Sequence, residues 1–321
     1  MKKQMTVLFA LALLLAGGCE KEIAFKGEVS RPRLTLSARA VVGEPFDAYV
    51  ASSVFFLASE NGGAAFREGI DTARGSVRCY VNGDRTGVEM SLDAEADVSG
   101  FRYTAGYVPA PGDRIRLEAE FPGFDKVWAE ATVPRLPQFE LVSTESRKME
   151  GEWVEDDYYE MDLTLAVTDD GSYDKYYFIQ PLASYVGPWN WWGDPDEEKD
   201  ETLTSLVFTS NDIIFQSTAN VLGSDTETAF GSSYFSDELI KGRRHAFKIT
   251  VVYLPAPEKV SLFGLKLATA EENLFWYDYS YDQLQMSFGG LFSEAVALYS
   301  NVHGGYGILS AAAPVWMEVD W

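Results

Sequence analysis

Apolar and polar residues alternate along the chain from about residue 33 to residue 133, with turn residues between the runs. Residues 114–121 alternate without a break, so we expect one face of this segment to be buried and the other to carry charge. The next predicted buried face consists of every second residue, namely Val127, Ala129, Ala131 and Val133. Short strands at this spacing predict an immunoglobulin-like β-sandwich.

A tight turn is predicted at Asn82-Gly83, between the apolar runs at residues 77–81 and 88–92. Both turn residues tolerate a positive φ, which the two-residue turns of β-hairpins require. The pattern therefore predicts a hairpin. Cys79 lies at an apolar position of the first run, so we expect a buried and unreactive thiol.

The strongest candidate for a domain boundary is the segment at residues 134–137, which contains Pro134 and Pro137. Proline cannot donate to a strand ladder and favours an extended connector. Further strands are predicted beyond it, at residues 139–144, 159–168, 175–182, 203–209 and 246–254.

The strand predicted at residues 159–168 has one apolar face, formed by Met161, Leu163, Leu165 and Val167. The turn Asp169-Asp170-Gly171 follows it. We expect the acidic side chains of this turn to be solvated, and we expect the same of Asp156 and Asp157.

One helix is predicted near the C-terminus, with Thr269 as its N-cap and its end at about Met286. Glu272 lies three residues after Thr269, which completes the pattern of a capping box. Apolar residues follow at helical spacing, at Leu274, Tyr277, Tyr281 and Leu284. We expect this stripe to pack on the second β domain rather than to hold a cofactor.

These patterns together predict a mainly β protein. We expect residues 32–133 to form an N-terminal immunoglobulin-like β-sandwich and residues 134–137 to form a proline linker. We expect residues 138–321 to form a β-rich C-terminal domain that carries one helix.

The first residues of the chain have the features of a secretion signal. Lys2 and Lys3 give a basic start, residues 5–15 are apolar apart from Thr6, and Gly17-Gly18 precede Cys19. A membrane-spanning helix needs about 20 apolar residues, more than this run contains. The pattern is typical of a bacterial lipoprotein signal peptide at residues 1–18, which predicts that a lipid on Cys19 attaches the chain to a membrane.

Residues 19–31 are expected to act as a tether behind the lipid. The acidic residues Glu20 and Glu22 resemble the export tag of surface lipoproteins in Bacteroidota, and the alternative is a charged, solvated linker. We therefore expect a protein of the outer membrane, facing the cell surface rather than the periplasm.

The charge of the chain excludes one class of partner. The net charge is −23, and removal of Lys2 and Lys3 with the signal takes it to −25. Such a surface repels phosphate groups, so we expect no nucleic acid partner. Hydrophobic residues make up 46% of the chain, which is enough for a substantial core.

The motifs of common enzyme and metal sites are missing from the sequence. His245 and His303 are its only histidines, and no zinc-binding spacing, phosphate loop or serine nucleophile motif occurs. We therefore predict no catalytic residues, no metal site and no cofactor. A pair of glycosidase carboxylates stays open as an alternative, because such a pair is defined by its spatial separation.

A tryptophan cluster is the strongest candidate for a binding surface. Trp189, Trp191 and Trp192 lie in a loop bounded by glycine and proline, and exposed indoles are typical of contact surfaces. A glycan or peptide ligand or a partner protein would suit them, and a loop folded onto the core is the alternative. The acidic residues 194–201 follow, where a weak surface calcium site is an alternative to a solvated run.

A C-terminal motif carries a resemblance to a known family. Residues 297–309 contain Tyr299-Ser300-Asn301, the pair Gly304-Gly305, and Gly307 followed by two apolar residues. This pattern resembles the signature of a Bacteroidota envelope lipoprotein family, domain of unknown function 4249. Leu309-Ser310 departs from the phenylalanine and small residue of that pattern. Since glycine permits close backbone approach, we expect a structural corner rather than a ligand loop.

The resemblance implies an envelope lipoprotein that works beside a TonB-dependent outer-membrane receptor, with no established catalytic residues. We therefore expect a non-enzymatic binding or accessory protein that acts in uptake. An envelope glycan hydrolase and a structural or adhesive surface protein are the alternatives.

Overall fold

A computed structural model describes residues 31–53, 66–95, 99–150, 158–173, 175–185, 202–215, 233–287 and 297–320. The strands of the first half are β1 (Leu34–Val41), β2 (Asp47–Ser52), β3 (Ser76–Val81), β4 (Val88–Glu89), β5 (Ser91–Asp93), β6 (Phe101–Thr104), β7 (Arg114–Glu120) and β8 (Val127–Thr132). Those of the second half are β9 (Gln138–Met149), β10 (Tyr158–Thr168), β11 (Tyr176–Tyr185), β12 (Thr202–Ser205), β13 (Phe208–Thr209), β14 (Ser233–Ser236), β15 (Arg244–Leu254), β16 (Val260–Ala270) and β17 (Tyr306–Glu318). The helix α1 (Glu272–Ser287) lies between β16 and β17.

The strands form three sheets, which confirms the predicted mainly β fold. The largest sheet has the order β12-β11-β16-β17-β1-β2-β6-β5, and β14 also pairs with β11. Two four-stranded sheets have the orders β4-β3-β7-β8 and β13-β15-β10-β9. Each of them shares a buried apolar cluster with one part of the large sheet, so the large sheet is common to both cores.

The first core contains the inward faces of the predicted sandwich. Leu36 and Val50 come from the large sheet, whereas Leu117 and Val127 come from the four-stranded sheet opposite. The alternation predicted for residues 114–121 is confirmed, because alternate residues of β7 are buried. Cys79 is also buried there, and burial raises the pKa of its thiol to about 12, so the thiol is unreactive as expected.

The second core lies between β10 and β15 on one side and β11 and β16 on the other. The face predicted for β10 is confirmed, since its four apolar residues are at most 1% exposed, namely Met161, Leu163, Leu165 and Val167. Bulky aromatic side chains fill this core, where Phe235 contacts both Tyr177 and Phe247.

Strand β17 contributes to both cores. Its first part pairs in parallel with β1 and places Leu309 and Ala311 in the first core. Its second part pairs with β16 and packs Val315 and Met317 against the second core. The predicted linker at residues 134–137 separates the segments that supply most of each core, but the division into two independent domains stays a prediction.

The turn predicted at Asn82-Gly83 has the expected backbone, with φ of 54° and 77°. The predicted hairpin is confirmed, because β3 and β4 pair antiparallel with Cys79 opposite Val88, but the loop between the paired residues is longer than a two-residue turn. The residues predicted to form its second strand, 88–92, belong to two sheets, because β4 pairs with β3 whereas β5 pairs with β6. A change of sheet at this point closes the edge of the sandwich, which a local turn pattern does not encode.

The predicted extent of the helix is close to that of α1, but its predicted cap is wrong. Thr269 lies inside β16, is 1% exposed and pairs with Tyr177 and Ala313. The helix instead begins beside Glu271, whose carbonyl oxygen accepts from the N–H of Leu274 at 3.0 Å. Strand pairing on both sides of Thr269 outweighs its local capping preference. No described helix has the length and apolar character needed to span a membrane.

The shared strand gives a test of the domain boundary. We expect a fragment of residues 32–133 to lack a cooperative thermal transition, because it loses the β17 backbone beside β1 and the buried Leu309 and Ala311. Addition of residues 297–312 through a flexible linker should restore a cooperative melt followed by circular dichroism. A shorter fragment that melts cooperatively near the temperature of the full chain would instead establish an independent domain.

Candidate functional site

The predicted site residues divide into those that the structure describes and those that it does not. Cys19 and the cluster of Trp189, Trp191 and Trp192 lie outside the described residues, as do the acidic run at residues 194–201 and Asp156-Asp157. The C-terminal motif is described, and it forms a corner beside β8 and α1. We refer to residues 299–307 as the C-terminal corner.

Asn301 holds the C-terminal corner closed. Its amide nitrogen donates to the carbonyl oxygen of Leu309 at 2.8 Å, and its amide oxygen accepts from the N–H of Leu309 at 2.9 Å. The side chain therefore imitates a strand partner for the start of β17. A third bond joins its Nδ2 to the carbonyl oxygen of Glu130 at 3.4 Å, which ties the corner to β8.

The glycines of the motif lie where the chain passes against other backbone. A Cβ on Gly304 would lie 2.5 Å from the carbonyl oxygen of Lys126. Cβ atoms on Gly305 and Gly307 would overlap the carbonyl oxygens of Leu34 and Leu36, respectively. Gly307 also has a φ of +113°, so a side chain there is excluded by both space and conformation.

The remaining residues of the motif connect the corner to α1. The Tyr299 hydroxyl donates to Oδ1 of Asn273 at 2.7 Å, and the Tyr299 N–H donates to Oγ of Ser280 at 2.8 Å. Ser300 accepts from the N–H of Val302 at 3.3 Å, which forms a local turn. Each of these contacts is within the chain.

A stack of three side chains covers the junction between the corner and β8. The ring of His303 lies parallel to that of Trp128 with 4.0 Å between centroids, and the Arg116 guanidinium lies 4.0 Å above the other face of the indole. The backbones of Trp128 and His303 exchange hydrogen bonds of 3.2 and 2.8 Å. The sequence places Arg116 and Trp128 on outward faces, but only strand register brings them together.

A cavity of about 540 Å³ opens beside this stack. Polar side chains from β3, β7 and β8 and from the start of α1 line it, among them Tyr80, Asp84, Arg114, Arg116, Glu130 and Glu271. We call this space the corner cavity. Most of its charged residues come from outward positions of alternating strands, which explains why the sequence pattern gave no sign of them.

Arg116, which lines the corner cavity, forms ion pairs with neighbouring carboxylates. Arg116 contacts Glu118 and Glu130, each at 2.8 Å, and Lys126 contacts the second oxygen of Glu118 at 2.6 Å. The hydrogen bonds that Arg116 donates to Glu130 and Glu118 raise the pKa of its guanidinium. Burial raises the pKa of Glu118, but the bonds from Lys126 and Arg116 outweigh it, so the pKa is lowered and the carboxylate stays ionised.

Glu271 is the exception among the acids of the corner cavity. Burial raises the pKa of its carboxyl group to about 8, and a bond from Asn273 offsets only part of this effect. Its Oε2 is fully buried and has no hydrogen-bond partner among the described residues. Glu271 falls within the first turn of the helix predicted to begin at Thr269, and that local pattern gave no sign of the strand pairing that buries its carboxyl group.

The turn at Asp169 also differs from the prediction. Asp169 is 2% exposed rather than solvated, and it lies 3.0 Å from the buried ammonium of Lys175. Burial raises the pKa of Asp169. The hydrogen bonds donated by the Gly242 N–H, Lys175 and the Tyr177 hydroxyl lower it by more, so the pKa falls below its usual value and the carboxylate stays ionised. The charged pair holds the β10–β11 turn against the segment before β15. No group of His, Cys, Asp or Glu in the described residues is arranged to hold a metal ion.

The clamp formed by Asn301 predicts a loss of stability on truncation. Asn301→Ala leaves the N–H and carbonyl of Leu309 without their partner, so the free energy of unfolding should fall by about 1–3 kcal/mol. Ser300→Ala removes one long local bond and should cost less than about 0.5 kcal/mol. Urea titration measures both values, and equal stability of the two variants would show that Asn301 does not hold the corner.

The raised pKa of Glu271 predicts a specific pH dependence. A carboxyl group with a higher pKa in the folded state contributes stability below its unfolded pKa, and that contribution is lost as the pH rises through about 8. Glu271→Gln should therefore gain stability relative to the wild type between pH 5 and pH 9, by roughly 4 kcal/mol.

Urea titrations at pH 5, 7 and 9 provide the measurement. Glu272→Gln is the matched control, because it removes the same charge from an exposed neighbouring side chain. Parallel stability profiles for the wild type and Glu271→Gln would show that Glu271 is ionised at neutral pH in the folded protein.

Comparison with protein families agrees with the resemblance of the C-terminal motif. A family model described as Domain of unknown function (DUF4249) matches residues 20–315, which is most of the chain. A comparison with curated proteins finds no match. The match includes both cores and the C-terminal corner, and we conclude that the chain belongs to the DUF4249 family.

Proposed function

We propose that this protein is an outer-membrane lipoprotein that acts as a non-enzymatic binding or accessory component, beside a TonB-dependent transporter in uptake. The observation that supports this proposal is that the charged side chains at the corner cavity are paired with one another. Arg116 and Lys126 neutralise Glu118 and Glu130 in ion pairs, which suits recognition of a polar ligand more than exchange of protons with it.

The proposed location is based on the N-terminal sequence. The signal pattern ending at Gly18 supports lipidation of Cys19, and the acidic residues after it support the cell surface over the periplasmic face. The tether at residues 19–31 would separate the compact unit that begins at Pro32 from the lipid.

The Trp cluster is the proposed contact with the receptor or with a glycan or peptide ligand. Three indoles within four positions offer flat apolar surface and N–H donors, the combination that dominates protein interfaces. The acidic residues that follow would steer a basic partner while contributing little to affinity.

The two alternatives have weaker support. A glycan hydrolase would use a carboxyl group of raised pKa such as Glu271, but its Oε1 is bonded to Asn273 and its Oε2 is fully buried. A self-assembling adhesive protein would use an open strand edge, and no described strand pairs with the outer edge of β9. That edge carries Glu145, Arg147 and Lys148, charges that oppose edge-to-edge pairing.

Affinity capture from detergent-solubilised outer membranes tests the proposal. Tagged wild-type protein should retain a TonB-dependent receptor identified by mass spectrometry. The variant with Trp189, Trp191 and Trp192 all changed to Ala should lose the receptor at an unchanged thermal midpoint. Cys19→Ala should move the protein out of the membrane fraction.

Two outcomes would refute the proposal. One is the recovery of wild-type protein without any receptor of this class. The other is a steep fall in the thermal midpoint of the triple variant, because it would place the indoles in the core.

A further inference from the structure

Trp316 lies on the outward face of the large sheet, over the second core. Its neighbours in β17, Val315 and Met317, pack against that core, so Trp316 between them points away from it. The residue is 43% exposed, which is unusual for the largest apolar side chain on a sheet face.

The indole of Trp316 lies over Gly264 on the neighbouring strand, where the absence of a side chain leaves room for the ring. A Cβ on Gly264 would overlap Cζ2 of Trp316 and would lie 2.9 Å from its Cε2. Gly264 itself is buried, although it faces the outward side of β16. The ring therefore covers Gly264, while 43% of Trp316 stays exposed to solvent.

Polar side chains surround this ring on the same face. Lys266 lies directly opposite Trp316, and Gln180 lies opposite Lys266 on the next strand. Since neighbouring strands are about 4.8 Å apart, the Lys266 side chain can reach a ligand placed on the indole, whereas Gln180 lies one strand further away. Gln180 donates to Oγ of Ser205 at 3.2 Å, which fixes its amide in place. Glu318 lies two residues further along β17 and is exposed.

We propose that Trp316 is a stacking platform for a sugar ring of a glycan. A flat aromatic face matches the apolar C–H face of a pyranose, and the adjacent Lys266 and Glu318 supply a donor and an acceptor for its hydroxyl groups. A protein partner fits less well, since the centres of protein interfaces are depleted in charged residues such as those beside this ring. The inference deepens the binding role proposed above and rests on it, with a glycan as the ligand class.

Gel retardation in neutral polysaccharides tests this assignment on the full chain. The probes are soluble polymers of glucose, mannose and xylose, and titration with the hexasaccharide of the retarding polymer gives the affinity. We expect at least one polymer to retard the wild type and Trp316→Ala to lose affinity by about tenfold or more. Trp316→Phe should retain part of the affinity, because it keeps an aromatic face.

Two further variants separate stacking from stability. Gly264→Ala keeps the indole but forces it off the sheet, so it should also weaken binding. Tyr49→Ala removes an exposed ring from β2 of the same sheet and should bind as the wild type does. Thermal midpoints of all variants show whether lost binding reflects lost folding, and Trp316→Phe keeps the comparison valid if Trp316→Ala unfolds.

The assignment is overturned if no polymer retards the wild type, or if Trp316→Ala and Trp316→Phe both bind as the wild type does. Loss of receptor capture by Trp316→Ala without any glycan binding by the wild type would make the ring a protein contact instead. Retention of a TonB-dependent receptor by a variant that has lost glycan binding would leave the receptor partnership intact, so the two proposals fail separately.

Discussion

The parallel pairing of β1 with β17 is the interaction on which the rest of the structure depends. It joins a strand near the start of the described chain to one at its end, and it makes a single sheet the backing of both cores. The pairing requires close approach, because the backbone at Gly305 and Gly307 meets the carbonyl oxygens of Leu34 and Leu36. A side chain at either glycine would separate the two strands.

The C-terminal corner follows from this constraint. To enter the sheet beside β1, the chain must leave α1, turn past β8 and begin β17 in register. Asn301 bonds both the N–H and the carbonyl oxygen of Leu309 in that strand, and the stack of His303 on Trp128 fixes the turn against β8. The corner cavity and the buried carboxyl group of Glu271 are consequences of bringing these elements together.

The two proposed contact surfaces, the Trp cluster and Trp316, occupy different kinds of position in the fold. The Trp cluster belongs to a loop predicted from the sequence, and binding residues commonly occur in loops because loops vary without cost to the core. Trp316 belongs to a strand, and its orientation is set by the glycine beneath it and the core behind it. A rigid platform of this kind has little conformational entropy to lose on binding, which favours recognition of a weakly interacting ligand such as a glycan.

The sequence determined those features that depend on neighbouring residues. Alternation gave the buried faces of β7, β8 and β10, Asn82-Gly83 gave the positive φ values of a turn, and helical spacing gave the extent of α1. The motif that ends in Gly307 gave the family. Each of these properties is local, because it follows from side-chain period or from the steric freedom of one or two residues.

Only the tertiary structure decided the rest. Thr269 has the preference of an N-cap but is held in a strand by partners about 90 and 40 residues away, as its pairing with Tyr177 and Ala313 shows. The local sequence predicts Asp169 to be a solvated turn residue, but the structure buries it beside Lys175. Trp316 can lie over the adjacent strand only because Gly264 has no side chain there. Strand register sets these contacts, and register depends on the packing of whole sheets rather than on the residues near each position.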